Sequence, residues 1–148
     1  MIWLRVVLAV ALLVQAASSG LPLLGFAAYR FGLIHPTSGA AALMIPLWRA
    51  TPAWLLALWL AAILVLLGAA VRLVLKRPAL AFYAVAIGVN VALQQLMQRS
   101  DAYREVFGTH APGFDYARLA ILVLVGALIW WTEQQPARLR TPRPDSTG

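Results

Sequence analysis

A chain of 148 residues that is 62% hydrophobic and only 11% charged has too few polar side chains to cover a water-facing surface, and is expected to lie in lipid. Its net charge of +7 comes from basic residues at the ends of apolar segments, which points to anionic headgroups and excludes a nucleic-acid face. The absence of cysteine removes disulfides, thiol redox chemistry, thiolate metal sites and thiol lipidation.

The first apolar segment, about residues 3–24, opens beside Arg5 and is softened by Gln15, Ser18 and Ser19. A rival reading makes residues 1–16 a cleaved secretory signal: Arg5, then Val6–Val14, then Val14-Gln15-Ala16 before Ala17. The single charge and the apolar run on through Leu21–Ala28 favour a retained span. Residues 25–53 read as a long greasy connection, broken by Pro36, Pro46 and Pro52 and loosened by Gly25, Gly32 and Gly39. Within it, Ser38 is expected to cap a short helix over Gly39–Ile45 that Pro46 ends. That piece is too short to span, so it lies at the interface or dips partly in, with Trp48 and Trp54 at headgroup level.

The second span is the plainest. Leu55–Val71 carries no charge and, apart from the Trp59 indole, no hydrogen-bonding side chain; with its flank it runs to about residue 75. Arg72, Lys76 and Arg77 are its basic orientation anchors, and Lys76-Arg77-Pro78 is a tight turn. Pro78 suits the first position of the third span, residues 79–97. Ser100 is expected to cap a helical turn or two in the polar stretch 99–116, which Gly108 and Pro112-Gly113 end. The fourth span, residues 117–132, has Arg118 at its near end, able to reach headgroups, and Trp130 and Trp131 at its far end. Residues 134–148, with Pro136, Pro142 and Pro144 among Arg138, Arg140 and Arg143, read as a disordered basic tail.

The fold class is therefore all-α: an integral membrane bundle of four transmembrane helices in residues 1–133. Arg5, Arg72, Lys76, Arg77, Arg138, Arg140 and Arg143 fall on one side. Arg30, Arg49, Arg99, Arg104 and Arg118 fall on the other, diluted by Asp101, Glu105 and Asp115. This bias places both termini in the cytoplasm.

Three groups of residues bear on function. Asn90, Gln94 and Gln98 lie four apart on one stripe of the third span. Amides in hydrocarbon need partners, so the stripe is either interhelical glue to Gln15, Ser18 or Ser19, or the lining of a polar path. Ala84, Gly88 and Ala92 form a small-residue stripe suited to close helix packing, within the bundle or between copies, and Gly68, Ala69 and Ala70 should meet the start of the third span. Asp101, Glu105 and His110 are the candidates for an oxygen/nitrogen metal site or for lipid chemistry. Asp101–Arg104 and Asp115–Arg118 can equally pair as surface salt bridges on a solvated face, and no metal is assigned. No carboxylate lies mid-span, as a proton-coupled carrier requires. Motifs of zinc proteases, serine hydrolases, phosphate-binding loops and dinucleotide sites are absent.

Lys76-Arg77-Pro78 between the middle spans, Ala127-Leu128-Ile129-Trp130 closing the last, and the basic tail from Arg138 resemble small four-helix proteins of the bacterial inner membrane. That group has no established activity, so the resemblance implies an architecture and a location but no site. The expectation is a non-enzymatic structural or accessory protein, without cofactor, that binds membrane lipids and another membrane protein or itself. The alternative is a small transporter or channel along the amide stripe; a lipid-modifying enzyme ranks below both.

Overall fold

The computed structural model describes residues 2–108 and 112–138, and every regular element among them is an α-helix. In chain order these are α1 (Ile2–Arg30), α2 (Gly39–Leu43), α3 (Ile45–Ala50), α4 (Ala53–Val74), α5 (Leu80–Gln98), α6 (Asp101–Phe107) and α7 (Pro112–Arg138). Of these, α1, α4, α5 and α7 are long and apolar enough to cross a membrane. At 1.5 Å per residue, α4 is about 33 Å long and α1 about 44 Å, against a hydrocarbon core of about 30 Å.

Helix α1 runs further than the sequence predicts. It passes through Pro22 and Gly25 and ends only at Arg30. Its end is a Schellman turn: the Gly32 amide bonds the Tyr29 carbonyl at 3.1 Å and the Leu33 amide bonds the Ala28 carbonyl at 2.8 Å. Gly32 takes φ 68°, which a side chain would resist. Pro46 begins a helix where the sequence expects it to end one. It sits in the first turn of α3, where an amide has no intrahelical acceptor to lose.

Helix α4 ends by the same device as α1, but with Lys76 in the left-handed position at φ 55°. The Lys76 amide bonds the Leu73 carbonyl and the Arg77 amide bonds the Arg72 carbonyl. Pro78 falls outside α5, whose N-cap is Ala79. Ser100 caps α6 as expected, its hydroxyl accepting from the Tyr103 amide at 3.3 Å. Helix α7 continues to Arg138, beyond the predicted start of the tail; residues 139–148 lie outside the described residues.

The extensive interfaces are α1 against α4 and α4 against α5; α7 closes the ring by touching α5 and α1 over shorter lengths. Leu8, Ala9, Leu12 and Ala16 form the buried stripe of α1. They meet Ile63, Leu66, Ala69, Ala70 and Leu73 of α4, Tyr83 and Ala86 of α5, and Ile129 of α7. The alanines bring the helix axes close, so that leucine side chains fill the space between them. Ala84, Gly88 and Ala92 take no part: Ala84 and Ala92 are exposed, and a Cβ built on Gly88 meets nothing within 4 Å. The close approach to α7 is made at Gly126, where a Cβ would stand 3.3 Å from the Tyr83 ring.

Polar groups tie the helix ends on the side of the 76–78 turn. Glu133 Oε1 accepts from the backbone amides of Ala79 at 2.6 Å and Leu80 at 2.9 Å, capping α5 from α7. Arg5 donates to the Thr132 carbonyl at 2.6 Å, joining α1 to α7. Arg72 donates to the Pro78 carbonyl, and its guanidinium lies 4.6 Å from the centre of the Phe82 ring. Lys76 and Arg77 remain exposed.

Candidate functional site

At the other end the long helices leave a cavity of about 750 Å³. Its walls follow from the folding just described. Helix α1, carried past Pro22, contributes Ser18, Ser19, Pro22, Gly25 and Phe26. Helix α4 contributes Leu56 and Trp59 from its first turns, and α5 contributes Asn90, Leu93, Gln94 and Met97 from its last. Arg118 enters from α7. The short helices close over this end, and α3 and α6 pack against one another. Met44, Leu47, Trp48 and Tyr103 are their contribution to the lining.

Helix α3 is held onto α1 by side chains. Trp48 packs against Tyr29 with ring centroids 5.3 Å apart, and Arg49 Nε donates to the Tyr29 hydroxyl at 3.1 Å. Gly25 leaves room for Trp48, since a Cβ there would stand 3.5 Å from the indole. Trp48 therefore packs into the protein, while Trp54 is exposed. Thr51 is buried beneath this connection and donates to the Leu47 carbonyl at 2.7 Å. Pro22 has no amide, so the Ser18 carbonyl loses its usual acceptor role within α1 on this same wall.

The amide stripe divides along its length. Asn90 lines the cavity opposite Ser18 and Ser19 but makes no side-chain hydrogen bond among the described residues. Ser18 instead donates within its own helix to the Gln15 carbonyl at 2.9 Å. Gln94 Oε1 accepts from Arg118 Nη1 at 2.6 Å. Gln98 Nε2 is enclosed without a partner among the described residues. The expected bonds from this stripe to α1 are thus absent, and the partner comes from α7.

Arg118 departs furthest from its sequence reading. It donates to Gln94 on α5; the side chain of Asp115, its expected partner, lies outside the described residues. A neutral amide satisfies one guanidinium donor, and no carboxylate among the described residues neutralises the charge. Arg118 and Gln94 also line a second cavity of about 260 Å³ with Val91, Gln95, Tyr116, Leu119 and Leu122, so the pair stands between two open volumes. Asp101 and Glu105 are exposed on α6, and His110, the third residue of the suggested metal set, lies outside the described residues.

At its inner limit the cavity meets packed core. Below Asn90, the inward positions of α5 are Ala86 and Tyr83, and the Tyr83 hydroxyl donates to the Leu122 carbonyl at 2.8 Å. Beyond them Leu12, Leu73 and Ile129 are fully enclosed. Among the described residues the arrangement is an apolar chamber with a few amide and hydroxyl groups and the Arg118 cation on its wall, closed by packed core at one end. Comparison of the chain with protein-family models, with curated proteins and with solved structures finds no match.

Proposed function

We propose that this protein is a four-pass integral membrane protein of the bacterial inner membrane, with both termini in the cytoplasm, acting as a non-enzymatic accessory subunit whose chamber holds a ligand. The membrane reading rests on what the long helices present outward. Val7, Val10 and Val14 of α1, Leu60 and Leu64 of α4, Val85 of α5, and Ile121, Val123 and Leu124 of α7 are all exposed. Surfaces this apolar on several sides of one small protein are matched by acyl chains and not by water. The basic ends of α1 and α4 support the orientation.

One observation favours holding a ligand over conducting one: the chamber is blind. A through-path along the amide stripe would have to pass Leu12, Tyr83 and Leu73, all buried among close-packed neighbours. The test has two parts. Membranes from expressing cells are washed at alkaline pH, and the protein should stay in the pellet until detergent is added; release by the wash alone would overturn the membrane reading. Reporter fusions at Gly148 and Thr109 should report cytoplasm and periplasm respectively, and the reverse result would invert the topology. Flux of small solutes through reconstituted vesicles should match empty vesicles, and a flux abolished by Asn90→Leu would replace the binding role with a transport path.

A further inference from the structure

The chemistry of the chamber wall identifies the class of ligand. Three features bear on it. The volume of about 750 Å³ lies inside the range of about 300–1,000 Å³ typical of small-molecule sites. Most of the lining is aliphatic or aromatic: Phe26, Leu47, Leu56, Trp59, Leu93 and Met97. The charge on the wall is Arg118, half-buried, held in place by Gln94 and not neutralised by any carboxylate among the described residues.

A free inorganic anion fits the cation but leaves the apolar walls unfilled. A neutral hydrocarbon fills the walls but leaves the cation in a medium of low polarity, which is costly. A molecule with both a long apolar tail and an anionic head satisfies both. Arg118 stands at the start of the apolar stretch of α7, Tyr116–Gln135, which is the level where a headgroup meets acyl chains. Its planar fork matches phosphate oxygens, and Gln94 fixes one arm of that fork so that the others are presented.

We infer that the chamber binds one anionic phospholipid of the surrounding bilayer, its phosphate on Arg118 and one acyl chain between α1, α4 and α5. This inference rests on the membrane reading above and names the ligand of the same chamber. Asn90 and Ser19, on facing walls, are placed to bond the ester and hydroxyl groups of the glycerol backbone.

The test uses the full chain in mild detergent, with Trp3, Trp54, Trp130 and Trp131 changed to Phe so that Trp48 and Trp59 report on the chamber. Phosphatidylglycerol or phosphatidylcholine carrying brominated acyl chains is titrated in, and bromine quenches an indole only at close range. Phosphatidylglycerol should quench saturably, at least tenfold more tightly than phosphatidylcholine. Arg118→Gln should abolish that preference and Arg118→Lys should keep most of it. Leu93→Trp, measured by mass spectrometry of retained lipid because it adds an indole, should lower retention of phosphatidylglycerol by narrowing the chamber, and undiminished retention would count against the site. Millimolar inorganic phosphate should not displace the lipid.

Equal quenching by the two lipids, an unchanged preference in Arg118→Gln, or displacement by phosphate would each overturn the inference. If Arg118→Gln does not fold, Gln94→Leu, which frees the guanidinium from its support, should weaken the preference severalfold, and no change would count against the site. These outcomes are separate from the alkaline wash: a protein that stays in the membrane yet shows no headgroup preference retains the membrane reading and loses the lipid site.

Discussion

Glu133 offers the sharpest test of how the helices are joined. Its carboxylate accepts from the Ala79 and Leu80 amides at 2.6 and 2.9 Å, although it lies more than fifty residues away in sequence. Ala79 is fully enclosed, so water cannot readily replace the lost acceptor. Hydrogen bonds to a charged group contribute about 1.5–3 kcal/mol each, and leaving a buried donor unmade costs about 1–3 kcal/mol. The two bonds share one oxygen on a half-buried side chain, so Glu133→Ala should destabilise by about 2–3 kcal/mol, nearer one strong bond than two. Glu133→Gln keeps an acceptor oxygen and loses the charge facing the helix N-terminus, an effect of about 0.3–1 kcal/mol. Thermal unfolding in detergent should rank wild type above Gln and Gln well above Ala, and hydrogen exchange at residues 79 and 80 should speed up only in the Ala variant. Gln and Ala variants both within about 0.5 kcal/mol of wild type, with those two amides still protected, would show that the cap carries no weight.

Other substitutions probe separate joints. Lys76→Gly should stabilise by about 0.5–1 kcal/mol, seen as a raised unfolding midpoint, because glycine removes the Cβ that opposes φ 55° at the end of α4. Gly126→Leu should destabilise by about 1–3 kcal/mol through overpacking against Tyr83, and Gly126→Ala by less, since the ring need shift only a few tenths of an ångström. Asn90→Leu should leave the empty protein as stable or raise its unfolding midpoint, because the amide has no partner to lose. A drop in the midpoint would mean that it is bonded after all.

The long helices were legible because their apolar runs are bounded by groups that lipid and helices both exclude. The predicted 55–75 and 79–97 match Ala53–Val74 and Leu80–Gln98 to within a residue or two. The first connection departs from expectation because Gly25 does not loosen the chain and Pro46 does not break it. Glycine at 25 serves Trp48 packing inside a continuing helix, and proline at 46 starts one. The small-residue stripe of α5 and its buried face, Tyr83, Ala86 and Leu93, differ by rotation. Ala86 stands about 200° around the helix from Ala84, so burying one exposes the other, and composition alone cannot choose. Gln94 stands out in the sequence as an amide within an apolar run, but its bond to Arg118 depends on how α7 is placed. The Glu133 cap left no local trace at all, because nothing near Ala79 announces an acceptor from the far end of the chain.

The two ends of the molecule are built differently, and the difference bears on function. Beside the 76–78 turn, Arg5 and Glu133 join three long helices and Arg72 fastens the turn to the fourth, above a core where Leu12, Leu73 and Ile129 are fully enclosed. At the other end α3 and α6 pack together over the same helices, with Gln98 Nε2 enclosed without a partner and Asn90 without a side-chain hydrogen bond among the described residues. Regions with few buried contacts and unpaired polar groups open at lower free energy than the core, and binding sites are drawn from them. A ligand that enters the chamber can therefore displace α3 and α6 without loosening the tied end. Substitutions at Glu133, Lys76 and Gly126 should then change unfolding while leaving lipid preference intact, whereas Arg118 and Gln94 should change preference with little effect on the midpoint. Sites this far apart add independently when no shared element moves, so coupling between Glu133→Ala and Arg118→Gln above about 0.5 kcal/mol would show that the two ends open together.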